Sequence, residues 1–185
     1  MSEQATTMEQ RLAALEREMR EMQDRAAIED VLLRYSRALD WLDDGMLEDV
    51  FHDDAEIDYG FFRGTGKDFR PILMEVERGT GRRWHFTSQV KIQLKGDFAE
   101  VESYNLSLAL PQLADDPPSD ILQFFGMYSD RMEKRDGRWG IIRRKHLLVT
   151  ALISKEVPMT GDFGMLNKIG ATGTDHADYR RLAER

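Results

Sequence analysis

The chain has 185 residues, 41% apolar and 32% charged, a formal net charge of -8 and no cysteine. One soluble globular domain with an appendage fits that length and composition. The acidic balance argues against a nucleic-acid partner. The missing thiols exclude disulfides, thiolate metal sites and cysteine nucleophiles, and fit a cytoplasmic location. No apolar run reaches the ~18 residues of a membrane span, and MSEQATTMEQ has neither the basic nor the apolar region of a secretion signal.

In chain order, Met8, Leu12, Leu15, Met19, Met22 and Ala26 alternate spacings of four and three, a short heptad seam. It suits either an amphipathic helix lying on its own domain or a contact between subunits. Near Ala26 the pattern shifts to Ile28, Leu32, Tyr35, Leu39 and Leu42, a core-facing stripe at helical period. Asp43-Asp44-Gly45 is expected to end this helix, with Gly45 as the stop. Met46 to Phe51 reads as a short second helix, the residues around Ile57 as a strand, and Lys67 to Gly79 as a third helix with Pro71 in its first turn.

From Trp84 the pattern turns to strands. HFTSQVKIQL, a Gly96-Asp97 turn and FAEVESYNLSLAL form one hairpin. The loop PQLADDPPSD, broken at Pro117-Pro118, leads to ILQFFGMYSDRMEKR, a turn at Asp136-Gly137 and RWGIIRRKHLLVTALI. Three helices before four long strands predict an α+β fold, an antiparallel sheet with helices on one face. The expected organisation is a helical extension over 1–25, an α+β domain over 26–155 and a tail over 156–185 that wraps the sheet or a pocket mouth. Met159, Phe163 and Met165 give that tail apolar groups to bury. Both faces of the strand holding Leu122, Phe124 and Tyr128 carry large apolar residues, which predicts a homo-oligomer, a trimer or dimer.

The helix-helix-strand opening and the DGRW hairpin resemble the SnoaL-like branch of the nuclear transport factor 2-like superfamily over about residues 25 to 153. The resemblance is nearest to its cofactor-free lyases: scytalone dehydratase, bile-acid dehydratase and lindane dehydrochlorinase. It implies a cone-shaped α+β domain with a curved antiparallel sheet and a pocket between sheet and helices. Arg25-Ala26-Ala27-Ile28 and Asp40 are similar to the dehydrochlorinase's first helix with its catalytic aspartate. Tyr35 falls where that enzyme has a pocket lysine and the bile-acid dehydratase a tyrosine. Ile57-Asp58-Tyr59 matches the scytalone dehydratase strand bearing its pocket tyrosine. His85-Phe86 matches the histidine of the Asp-His dyad, and Arg144 a pocket arginine of the dehydrochlorinase. The second pocket histidine of scytalone dehydratase has no match; Phe124 to Gly126 occupy that region.

These residues suggest a division of labour. A carboxylate on one imidazole nitrogen fixes the tautomer and supports the imidazolium, so Asp40 would orient His85 for proton transfer. Tyr59 would donate to a substrate oxygen as charge develops. Asp40 reads equally as an exposed helix-end carboxylate, His85 as a satisfied strand residue and Tyr59 as a sheet aromatic. Tyr35 lies five residues before Asp40, about 140° around an ideal helix at ~100° per residue, so it is either a pocket phenol or a core tyrosine with a bonded hydroxyl. Arg144 and His146 share a strand face with Ile142 and Leu148. If that face looks inward, Arg144 is a pocket cation, and Phe124, Tyr128 and His146 join the substrate-binding residues. His85 stands in register opposite to Val90, Ile92 and Leu94, which calls for either a bulge or a subunit contact.

The four histidines, His52, His85, His146 and His176, show no metal-ligand spacing, and Gly64-Thr65-Gly66-Lys67 lacks the spacing of a P-loop. The expectation is a cofactor-free lyase acting on a small, largely apolar, hydroxylated and plausibly aromatic compound. It would expel water, halide or a carbonyl fragment such as formaldehyde. A double-bond isomerase of the same fold and a non-catalytic small subunit of a ring-hydroxylating dioxygenase are the competing readings.

Overall fold

The computed structural model describes residues 7–110, 120–158 and 160–182. The Pro117-Pro118 loop and Met159 lie outside these. The first helix, α1, runs unbroken from Met8 to Trp41. A capping box starts it: Thr7 Oγ1 accepts from the Gln10 N–H at 3.3 Å, and the Thr7 N–H donates to Gln10 Oε1 at 2.9 Å. Its first half does not lie on the domain. Met8, Leu12, Leu15, Met19 and Met22 are all more than half exposed. From Ile28 onward the stripe expected to face the core does so, with Ile28, Val31, Leu32, Tyr35 and Leu39 buried.

The end of α1 departs from expectation. Leu42, not Gly45, takes the left-handed cap conformation at φ 53°, and the Asp43 N–H bonds back to the Ala38 carbonyl at 2.9 Å. The reason is Asp43, whose carboxylate accepts from the Met46 N–H at 2.9 Å and starts α2 (Asp44–Glu48). Gly45 is therefore inside α2, and Phe51 opens β1 (Phe51–Asp58) instead of closing a helix. A short strand absent from the sequence reading, β2 (Arg63–Thr65), pairs antiparallel with β1. Thr65 then caps α3 (Gly66–Arg78), accepting from the Asp68 N–H at 3.2 Å. Gly66 sits so close to β1 that a Cβ there would meet the His52 carbonyl at 2.4 Å. Pro71 falls in the second turn of α3, not the first. It is exposed there, and its missing N–H removes one bond to the Lys67 carbonyl.

The four long strands form the expected meander: β3 (Arg82–Lys95), β4 (Phe98–Leu110), β5 (Asp120–Arg135) and β6 (Arg138–Lys155). The sheet order is β2-β1-β6-β5-β4-β3. It is curved and mixed, because β1 runs parallel to β6, where an all-antiparallel sheet was expected. Three helices pack on this sheet, and the core lies between them. No helix among the described residues is long and apolar enough to cross a membrane.

Two bulges decide which side chains face that core. In β3 the register slips between Ser88 and Lys91, with Gln89 at φ 51°. His85 before the slip and Ile92 after it consequently both look toward the helices. In β6 the slip at Arg131/Met132 makes Ile141, not Ile142, the residue opposite Met132. Arg144 and His146 then pair with Asp130 and Tyr128 on the inner face.

Candidate active site

The inner face holds two polar groups of residues. At one end Asp40, in the last turn of α1, accepts from Nδ1 of His85 on β3 at 2.9 Å. Both side chains keep some exposure, 19% and 12%. One turn earlier on the same helical row, Ser36 meets Thr87 hydroxyl to hydroxyl at 3.1 Å. Ser36 and Asp40 are four apart, so they form one ridge against the His85–Thr87 edge of β3.

At the other end three phenols form a chain. The Tyr35 and Tyr59 oxygens are 2.8 Å apart, as are those of Tyr59 and Tyr128. Tyr35 and Tyr128 are buried, whereas Tyr59 is partly exposed. Burial pushes all three phenols above their ordinary range, so they are protonated donors at neutral pH. The Tyr35 and Tyr128 hydroxyls also interact with each other. If Tyr35 and Tyr128 both donate to Tyr59, its own proton points outward, polarised by two accepted bonds.

Arg144 lies beneath this chain. It is 1% exposed, and its guanidinium stacks over the rings of Tyr35 at 4.4 Å and Tyr128 at 4.1 Å. Its Nε and Nη2 donate to the two Asp130 oxygens at 2.8 and 2.6 Å. Arg144 and His146 do look inward, with Ile142 displaced by the bulge, but this arginine is a buried prop and not an open pocket cation. Burial works against its charge, and the Asp130 carboxylate more than restores it. His146 stacks on Tyr59 with ring centroids 4.6 Å apart and planes 11° from parallel. Burial, then the charge of Arg144, lowers its pKa, so the ring is neutral near pH 7.

Strand register sets the distance between the two ends. His85, Ser107 and Phe124 share one cross-strand row, Thr87, Asn105 and Gly126 the next, and Ser103 and Tyr128 the third. His85 and Tyr128 are thus two strands and two rows apart. That is roughly 16 Å between their backbones at ~4.8 Å per strand and ~3.3 Å per residue, a span that the two side chains narrow from either end. Ser107, Phe124 and Asn105 on the floor between are partly exposed. The Asn105 Oδ1 and Ser103 Oγ atoms are buried without a hydrogen-bond partner. Gly126 keeps the middle row clear, since a Cβ there would stand 2.8 Å from both Asn105 Oδ1 and His146 Nε2.

Tyr35 and Asp40 do not share one wall. Tyr35 belongs to the phenol chain and Asp40 to the imidazole, as their angular separation on the helix requires. The tail packs near the dyad's end of the sheet. Thr172 Oγ1 accepts from Arg83 at 2.7 Å, and the rings of His176 and Tyr179 lie on Trp41 at 5.5 and 5.6 Å. Phe163 and Met165 in that tail are exposed, not buried. A separate groove of about 630 Å³ is lined by Arg25, Lys91, Glu100, Glu102 and Asp130 among others. It includes neither the dyad nor the phenols, and the acid–base groups locate the site better than volume does. Among the described residues no three His, Asp or Glu side chains are arranged to hold a metal.

Sequence reasoning missed Glu77, Asp130, Asn105 and the Ser36–Thr87 pair. Two of these left a signal. Glu77 continues the buried Phe69–Leu73 row of α3 at spacing four, and Asp130 interrupts the buried alternation of Tyr128 and Met132.

No curated protein matches this chain at a significant level. Solved structures share its fold. A scytalone dehydratase candidate from Novosphingobium aromaticivorans DSM 12444 superposes with a TM-score of 0.62 at 23% identity, over 85% of this chain and 97% of its own. The hexachlorocyclohexane dehydrochlorinase LinA-type3 from Novosphingobium barchaimii LL02 gives 0.65 at 19% identity, over 74% and 94%. An aromatic ring hydroxylase candidate from Novosphingobium aromaticivorans gives 0.61 at 20%, over 73% and 94%. At such identities the likeness is one of fold. The SnoaL-like domain model, however, matches residues 20–145, which takes in β3, the first part of β6 and nearly every residue of the site, and the chain belongs to that family.

Proposed function

We propose that the chain is a cofactor-independent lyase that eliminates a small group from a small, hydroxylated, largely apolar compound, preferably aromatic. The observation that carries this reading is the Asp40–His85 hydrogen bond on a partly open concave face. An imidazole whose Nδ1–H is held by a carboxylate presents the Nε2 lone pair as a base, and the carboxylate supports the positive charge that follows. Across the floor, Tyr59 would offer its phenol proton to the oxygen on which negative charge develops. Tyr35, Tyr128 and the Arg144–Asp130 pair would hold that phenol in place. Phe124 and His146 would flank an apolar ring. Superposable structures named for dehydratase and dehydrochlorinase activity support an elimination.

The test is turnover of a panel of hydroxylated aromatic compounds by the purified chain and by His85→Ala and Asp40→Asn. Each variant is expected to lose at least about 100-fold in kcat, the usual contribution of a positioned acid or base. Retained turnover in both folded variants would sink the reading. A double-bond isomerase would use the same groups but return the proton to carbon, so product mass separates it from a lyase. If the chain is stable only beside a large iron-containing partner and turns over nothing, it is the non-catalytic subunit instead.

A further inference from the structure

A second carboxylate stands at the other nitrogen of His85. Glu77, in the last turn of α3, places Oε1 3.6 Å from Nε2, and its side chain is 12% exposed like that of His85. Its other oxygen is 3.8 Å from Nε of Arg83. Both distances exceed a hydrogen bond. Arg83 does not depend on this carboxyl: it donates to the Glu77 backbone carbonyl at 3.1 Å, Thr80 Oγ1 at 3.0 Å and Thr172 Oγ1 at 2.7 Å. A side-chain carboxyl has therefore been carried to the inner end of an apolar helical row, at a desolvation cost, and left beside the working nitrogen of the dyad. The groups facing it are His85 and Arg83 from β3 and Asp40 from α1. Burial pushes its pKa up, Asp40 adds to that shift, and His85 and Arg83 oppose it without cancelling it.

We propose that Glu77 is the general acid that works beside His85 as base, and that the expelled group is therefore a hydroxyl leaving as water. The inference rests on the lyase reading of this site. Nε2 of His85 takes the proton from the carbon next to the one bearing the hydroxyl, and the electron pair of that C–H bond becomes the new C=C bond. The C–O bond breaks with its pair, and the departing oxygen takes the Glu77 carboxyl proton. The site is left with an imidazolium and a carboxylate 3.6 Å apart, and passage of the Nε2 proton to Oε1 restores both. Base and acid stand side by side, so proton and hydroxyl leave from one face of the substrate. A halide needs no proton to depart, and such chemistry would give this carboxyl no part to play.

Two measurements on the full-length protein test this. The first needs no substrate: infrared difference spectra across a pH titration should show a protonated carboxyl band that persists above the ordinary glutamate range and vanishes in Glu77→Gln. Absence of a Glu77-dependent band overturns the proposal. The second compares leaving groups. Glu77→Gln should lower kcat about 100-fold or more on a hydroxyl-bearing substrate, with a much smaller change in KM. The loss should be far smaller on the analogue carrying chloride at that carbon. Equal losses on both leaving groups would mean a structural role and overturn it. If Glu77→Gln does not fold, Glu77→Asp, which retracts the carboxyl by one methylene, should show the same leaving-group contrast. Should His85→Ala leave both substrates unaffected, the lyase reading has failed, whereas loss in His85→Ala without loss in Glu77→Gln removes only the acid.

Discussion

His85 and Ile92 face the same side of β3 although they stand an odd number of positions apart. His85 bonds Asp40, and Ile92 is buried in the core. In a regular strand residues seven apart would point oppositely. Gln89, at φ 51°, absorbs the extra residue. A non-glycine residue there bears roughly 1–2 kcal/mol of backbone strain. Gln89→Gly should therefore keep activity and be neutral to about 1 kcal/mol more stable, once glycine's entropy is set against that relief. Deleting Gln89 should force either His85 or the Val90–Leu94 stretch outward, with loss of turnover or of the fold. A deletion variant that is both folded and active would contradict this account.

That bulge marks the boundary of what the sequence could say. The opposed registers of His85 and Ile92 are legible in the alternation, but a glutamine in left-handed conformation has no compositional signature. Leu42 hides the end of α1 for the same reason, with Gly45 nearby as a more tempting stop. The dyad partners Asp40 and His85 came from family resemblance, since 45 residues separate them and no local pattern pairs them. The parallel β1–β6 pairing is a long-range choice that neither strand's own alternation encodes. The alternation of β6 leaves Arg144 free to face inward or outward, and its partner Asp130, which makes it a prop, lies on the neighbouring strand, beyond the reach of any local pattern.

Arg144 and Asp130 are both fully buried, and each neutralises the other. Removing one partner leaves an uncompensated charge, which typically costs about 3–5 kcal/mol. Arg144→Met and Asp130→Asn should each show losses of that order in urea unfolding. The double variant should lose less than the sum of the two. An arginine reserved for a substrate anion behaves otherwise, raising KM with the fold intact, and that result would restore the pocket-cation role.

His146 carries a pH dependence of definite sign. Its folded pKa lies below the ordinary value of about 6.5, chiefly through burial and then through Arg144. Between those two values the unfolded chain binds a proton that the folded chain refuses, so stability falls as pH drops through that window. Above about pH 6.5 this group contributes no slope. Thermal melts between about pH 5 and 8 should show the wild-type curve declining more steeply on the acid side than that of His146→Gln. Parallel curves would refute the assignment.

The exposed half of α1 and the outer sheet face predict self-association. Met8, Leu12, Leu15, Met19 and Met22 form an apolar seam with no cover in the monomer. On the back of the sheet one row runs Trp84, Leu108, Gln123 and Leu152, and the next runs Phe86, Leu106, Phe125 and Thr150. Trp84, Phe86 and Leu152 are each about half exposed, and the first two rings stack at 5.6 Å. A patch of this kind on a soluble monomer marks an interaction surface. A second copy is the occupant proposed, because a heptad seam is self-complementary, though under three heptads it needs the sheet contact to hold. Sedimentation should give a dimer or trimer for the full chain and a shift toward monomer for Phe86→Glu. Removal of residues 1–22 should weaken the assembly without unfolding the domain, since the buried part of α1 begins at Ile28. A full-length protein that stays monomeric at tens of micromolar, with both faces intact, would rule out this interface.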